Sequence, residues 1–137
     1  MFFRKSTTFQ TEWWSIEIPQ GWTAVQHPEC ATFQADPPVG ALQISGVRKL
    51  EGTVSNEELE GLPPESTLQG TKKEPVQYGP FDGFRVRFVK GKASWEMWWL
   101  RHRNLILYVT YNVDCSRRAK EIETVEKTLY SLRPLLK

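Results

Sequence analysis

Cysteine and histidine are scarce in this chain of 137 residues: Cys30 and Cys115, His27 and His102 are all there are. A disulfide-stapled fold is therefore excluded, and a metal centre, which needs at least three grouped ligands, has no ligand spacing to rest on. Both thiols are expected free, as small buried hydrophobes, and both histidines as solvated loop residues. No run approaches the ~18 consecutive apolar residues of a membrane span. The opening Met1-Phe2-Phe3-Arg4-Lys5-Ser6 lacks the long apolar stretch of a signal peptide, so a cytoplasmic protein is expected. No Gly-rich loop follows a strand to cradle phosphates. Cys115 precedes a helix start beside Arg117 and Arg118, which favours thiolate, but no nucleophile signature surrounds it. Glu57, Glu58 and Glu60 read as a solvated acidic face. The chain is expected to be no enzyme and to carry no cofactor.

What is present is aromatic. Six Trp, seven Phe and four Tyr stand in an otherwise ordinary composition, 39% apolar and 25% charged. The length suits a single domain, 1–137, able to bury roughly two thirds of its unfolded surface. The net charge of +2 hides an asymmetry: residues 1–70 hold four Lys/Arg against nine Asp/Glu, and residues 71–137 hold fourteen against seven.

The most informative segment is 84–111. With Gly91-Lys92 as a two-residue turn, Gly first as a II′ turn requires, Phe88 faces Trp95, Val86 faces Met97 and Phe84 faces Trp99, forming one apolar face. The other face then pairs Arg87 with Glu96 and Arg85 with Trp98, an ion pair beside a cation–π pair. A one-residue slip would lose every match. A second turn at His102-Arg103-Asn104, with Asn104 left-handed, would align Trp99 with Leu107, Met97 with Val109 and Trp98 with Tyr108.

Elsewhere, Trp14 to Ile18 alternates as a first strand and stops at Pro19-Gln20-Gly21-Trp22. Strands follow near Cys30 to Ala35, Ala41 to Leu50, Lys73 to Tyr78 and Leu105 to Val113. That last strand is apolar on both faces and needs cover on both. Ser55 and Glu58 form a capping box that opens a short helix, closed by Gly61 and Pro63-Pro64, and a loop is expected from Pro63 to Gly70. Ser116 to Leu132 reads as a long amphipathic helix with Ala119, Ile122, Val125, Leu129 and Leu132 on one stripe, laid across the sheet. The fold class is thus α+β: an antiparallel meander of about six to seven strands, a short helix and a long C-terminal helix.

Ile16-Glu17-Ile18-Pro19-Gln20-Gly21-Trp22, the central Phe81-Asp82-Gly83-Phe84, the Trp-rich strand and the closing Leu129-Tyr130-Ser131-Leu132 together resemble the PsbP-like superfamily. That group includes the photosystem II extrinsic subunit, a yeast Ran-binding import factor, bacterial lipoproteins and secretion-effector chaperones. The resemblance implies an α/β/α sandwich whose members mostly bind other proteins; no particular partner carries over.

Protein binding is accordingly the leading expectation, in the manner of a bacterial immunity protein or effector chaperone, through a surface of Trp13, Trp22, Arg85, Arg87, Trp98 and Arg101. Trp13 and Trp22 are either exposed or cap the ends of the core. A small-ligand carrier, with an aromatic pocket lined by Trp95, Trp99 and Tyr111, is the alternative. Nucleic-acid binding is less favoured: Arg85, Arg87, Lys90, Lys92, Arg101 and Arg103 cluster near Trp98, but the total charge is nearly neutral.

Overall fold

The protein is described from a computed structural model over residues 7–135; the Met1 to Ser6 opening lies outside these residues. Ten strands and three short helices follow one another: β1 (Thr7–Gln10), β2 (Trp14–Ile18), β3 (Trp22–Gln26), β4 (Ala31–Ala35), β5 (Ala41–Arg48), α1 (Asn56–Glu60), α2 (Glu65–Leu68), β6 (Glu74–Tyr78), β7 (Phe81–Lys90), β8 (Ala93–His102), β9 (Leu105–Asp114), α3 (Ile122–Tyr130) and β10 (Arg133–Pro134), with a 3₁₀ segment at Cys115–Lys120 before α3. Seven strands form one antiparallel sheet in the order β3-β4-β5-β9-β8-β7-β6, and β1-β2-β10 form a second, small sheet. The expected strand at Trp14 belongs to the small sheet, and β3, Trp22–Gln26, takes its place at the edge of the large one.

The first hairpin has the expected register throughout, Phe84 with Trp99, Arg85 with Trp98 and Phe88 with Trp95, and Gly91 occupies the left-handed region at φ +62°. The second is shifted by one. Its turn has two residues, Arg103-Asn104, with Arg103 at φ +56°, so Trp99 faces Tyr108, Met97 faces Thr110 and Trp98 faces Val109. Asn104 instead bridges to β5: its side-chain N–H donates to the Lys49 carbonyl and its own carbonyl accepts from the Lys49 N–H. That bridge holds the tighter turn, and the shift decides which side chains share a face.

One face, the core side, gathers Phe33, Leu42, Ile44, Trp98, Leu100, Leu107, Val109 and Tyr111 beneath Trp14 and Ile16 of the small sheet and Val125 and Leu129 of α3. Gly46 lies where Trp14 arrives; a Cβ there would sit 3.2 Å from the indole nitrogen. The opposite side carries Phe84, Val86 and Trp99 under Val54 and Leu59, with Leu68 beside them. Of the six apolar residues of the first hairpin, Phe84, Val86 and Trp99, with Met97 partly buried against them, therefore form the lesser core, and the hairpin's Arg-bearing face is the one that packs on α3.

The expected 17-residue C-terminal helix is not formed. It divides at Glu121, whose backbone (φ −129°, ψ −20°) leaves the helical region because its side chain is drawn inward. Buried Glu121 accepts from the Tyr111 hydroxyl at 2.8 Å and from the Gly40 N–H at 3.0 Å. Ahead of it the chain runs as the 3₁₀ segment, which leaves Ala119 and Cys115 exposed rather than buried. The capping box at Ser55 and Glu58 is fully formed. Within the expected loop of Pro63 to Gly70, Pro64 opens the single turn of α2.

Candidate functional site

The residues singled out from the sequence do not converge. Trp98 is fully buried and donates its indole N–H to the Tyr78 hydroxyl at 3.0 Å, so it is core, not surface. Tyr78 in turn donates to Glu126 at 2.9 Å, and Arg85 holds the other oxygen of Glu126 at 2.9 Å. Burial, and then the Glu126 carboxylate, push the Tyr78 phenol far above its ordinary range. Arg85 is thus spent on α3 and, at 3.5 Å, on Glu74, not on a cation–π contact with Trp98.

Arg87 pairs with Glu74 at 3.3 Å rather than with Glu96, and Glu96, wholly buried, is matched by Arg118 of the 3₁₀ segment. A two-strand reading contains neither β6 nor the C-terminal segment, which supply these partners. Burial pushes Glu74 up, but Arg85 and Arg87 outweigh it and hold its carboxyl below the ordinary value. Arg101 is tied to Asp82 at 3.1 Å and to the Val54 carbonyl at 3.1 Å, clamping the start of α1 to β8. Trp13 and Trp22 are half-buried against the core; Trp22 lies on edge strand β3, at the far side of the sheet from Arg85 and Arg87.

The basic set is divided in the same way. Lys90 and Lys92 flank one end of the hairpin and Arg103 the other, ten residues and so about 30 Å away, while Arg85, Arg87 and Arg101 are paired with acids. The carrier pocket is also ruled out as drawn: Trp95 and Trp99 project to the side opposite Tyr111, so the three cannot line one cavity. His102 ends β8, with Nδ1 3.1 Å from the Pro80 carbonyl, while His27 is exposed.

What the fold does leave available is half a sheet face. The helices α1 and α2 cover Phe84, Val86 and Trp99 near β7, and the rest of that side, across β8, β9, β5, β4 and β3, is uncovered among the described residues. The cross-strand row Val86, Met97, Thr110, Gln43, Thr32, Val25 shows the transition, from a buried valine to one that is 51% exposed. An aromatic ladder crosses the same boundary: Phe84 stacks on Trp99 at 5.3 Å, and Trp99 meets Tyr108 at 5.3 Å, where Tyr108 emerges into solvent. Phe88 and Trp95 lie parallel within 5° at 6.2 Å.

Between these groups lies an open cleft of about 330 Å³, bordered by Cys30, Gln43, Trp95, Met97, Tyr108 and Thr110. Its polar groups include the Glu29 carboxylate and the Cys30 thiol beside amide, hydroxyl and thioether groups: Gln43 donates to Thr32 at 3.1 Å, and the Tyr108 hydroxyl reaches the Met97 sulfur at 3.6 Å. Burial raises the Tyr108 phenol above its ordinary value. Such a surface is equipped to bind, with flat rings and adaptable sulfur flanked by hydrogen-bonding groups. Its signal was in the sequence. Thr32, Gln34, Gln43 and Ser45 alternate with Ala31, Phe33, Leu42 and Ile44, which marks one side of β4 and β5 as solvated.

No family model matches the chain, and no curated protein matches it in sequence. Solved structures do. With its antiparallel sheet backed by a few short helices, this chain has a PsbP-like fold. It is similar to cyanobacterial PsbP (CyanoP) from Synechocystis sp. PCC 6803, with a TM-score of 0.61 and 10% identity over 94% of this chain and 92% of that one. A crystal structure from Bacteroides thetaiotaomicron VPI-5482 is similar over 98% of this chain, with a TM-score of 0.74 and 15% identity. The chain spans half the length of that protein. At these identities the fold is what is shared.

Proposed function

We propose that this is a non-enzymatic accessory protein that binds another protein in the cytoplasm, as an immunity protein or effector chaperone does, through the uncovered half of its large sheet. The layering is then an α/β/α sandwich left thin on one side. The observation that carries the reading is the exposed end of the aromatic ladder: Tyr108, Met97, Trp95 and Phe88 continue an apolar row past the point where α1 and α2 stop covering it. Clustered Trp and Tyr of this kind dominate interface energetics. Among the residues bordering the cleft there is no Lys or Arg, which favours a protein over a nucleic acid.

The test is capture from native extract, with nuclease added, comparing the wild type with a Trp95→Ala, Tyr108→Ala double variant and with Lys127→Ala on α3. One protein captured by the wild type and by Lys127→Ala, and reduced at least about tenfold with the folded double variant, supports the reading. Equal capture by the double variant, or none by any form, overturns it.

A further inference from the structure

A second cleft, about 320 Å³, opens where the small sheet meets the end of the large one, and its chemistry differs from that of the open sheet face. Trp13, Arg48, Arg103, Leu105, Pro134 and Leu135 are among the residues that line it, and no Asp or Glu does among the described residues. Arg48, the last residue of β5, lies with its guanidinium 5.7 Å from the centre of the Trp13 ring. Its Nε is buried and has no hydrogen-bond acceptor among the described residues. Arg85, Arg87, Arg101 and Arg118 each have an acidic partner, whereas among the described residues Arg48 meets an aromatic ring.

A guanidinium held against an indole is desolvated and oriented, yet keeps a planar fork of donors for an oxyanion. The second cation, Arg103, is fixed at its backbone, because the Val54 N–H donates to the Arg103 carbonyl at 2.8 Å. Guanidinium groups in proteins are ordinarily matched by an acceptor, and one without an acidic partner at the edge of a cleft of ligand-binding size marks a place for an anion. We propose that this cleft binds a small carboxylate carried on a flat apolar body: the carboxylate on Arg48, with Arg103 contributing charge, and the body against Leu105, Pro134 and Leu135. One planar fork above an apolar floor suits a carboxylate better than a phosphate, whose larger charge is usually met by several cations and backbone amides together. The site is separate from the open sheet face and does not depend on its having a partner.

The test uses the full chain labelled with ¹⁵N, following the Trp13 indole and Arg48 Nε–H signals as benzoate is added, with benzamide and inorganic phosphate as counter-probes. Saturable shifts of both signals with benzoate, at least tenfold weaker binding in Arg48→Gln and in Arg48→Lys, and little response to benzamide are the expected result. Lysine keeps the charge but not the fork, so its weakened binding identifies the geometry. Absence of shifts at Trp13 and Arg48, undiminished binding by folded Arg48 variants, or benzamide binding as well as benzoate would overturn the site. Phosphate binding more tightly than benzoate would overturn the carboxylate assignment.

Discussion

Tyr78 joins three elements through one hydroxyl, accepting from Trp98 and donating to Glu126. Tyr78→Phe keeps the ring but strands a buried indole N–H and takes the hydroxyl from Glu126, so a loss of about 1–3 kcal/mol is expected in denaturant unfolding. Gly83 is constrained more severely. A Cβ there would come within 1.9 Å of the Trp99 carbonyl, a backbone atom that cannot swing aside. Gly83→Ala is therefore expected to cost about 3 kcal/mol or more, read as a fall in the denaturant midpoint. Neither role was visible from spacing. Gly83 belongs to the Phe81-Asp82-Gly83-Phe84 motif, but the closeness of the neighbouring strand is a fact of three dimensions.

Local structure with local causes was legible. The Ser55 capping box depends on residues three apart, and it formed as read; Ser55→Ala is expected to cost about 1 kcal/mol in thermal or denaturant melts. Glu58 adds a pH signature. The Lys49 side chain, and then the Ser55 backbone N–H, hold its carboxyl at about 2, below the ordinary 4.5. A depressed carboxyl stabilises the native state fully above the ordinary value and loses that effect as pH falls through the folded one. The stability difference between wild type and Glu58→Gln should accordingly be constant at neutral pH and shrink between pH 4.5 and about 2, measured by denaturant titrations at stepped pH.

The first hairpin was legible for the same reason, since its turn and the pairs from Phe84 with Trp99 inward lie within sixteen residues. The helix break at Glu121 was not, because its cause, the Tyr111 hydroxyl and the Gly40 amide, comes from β9 and from the turn before β5. The periodicity of Ile122, Val125 and Leu129 survives the break, while Ala119, at the right spacing but beyond it, does not face the core.

Across the whole molecule, the two sides of the large sheet are unequally covered. Over one lie α3 and the small sheet; over part of the other lie α1 and α2 with the segment leading into α1, which contribute Leu59, Leu68 and Val54. So small a contact should open locally without disturbing the sheet. Amides of α1 and α2 are expected to exchange with solvent at least about a hundredfold faster than those of central strands β8 and β9, by hydrogen–deuterium exchange. The residue types of the candidate surface were legible, but which face they occupy was not: a two-strand reading sees six apolar residues together and assigns them to the interior, whereas the number of helices that reach each side is settled by the whole chain.

The order of the large sheet ends in β6 on one side and β3 on the other, and these two borders differ in kind. β6 opens with Glu74 and Pro75, a charge and a residue with no N–H to offer, which deter a further strand from pairing. Along β3 run Trp22, Thr23, Ala24, Val25 and Gln26, uncharged and rich in strand-forming side chains. Self-association should therefore have a direction: when the protein is concentrated or mildly destabilised, chains add to one another at β3, and a lysine in place of Val25 is the change that should keep them apart.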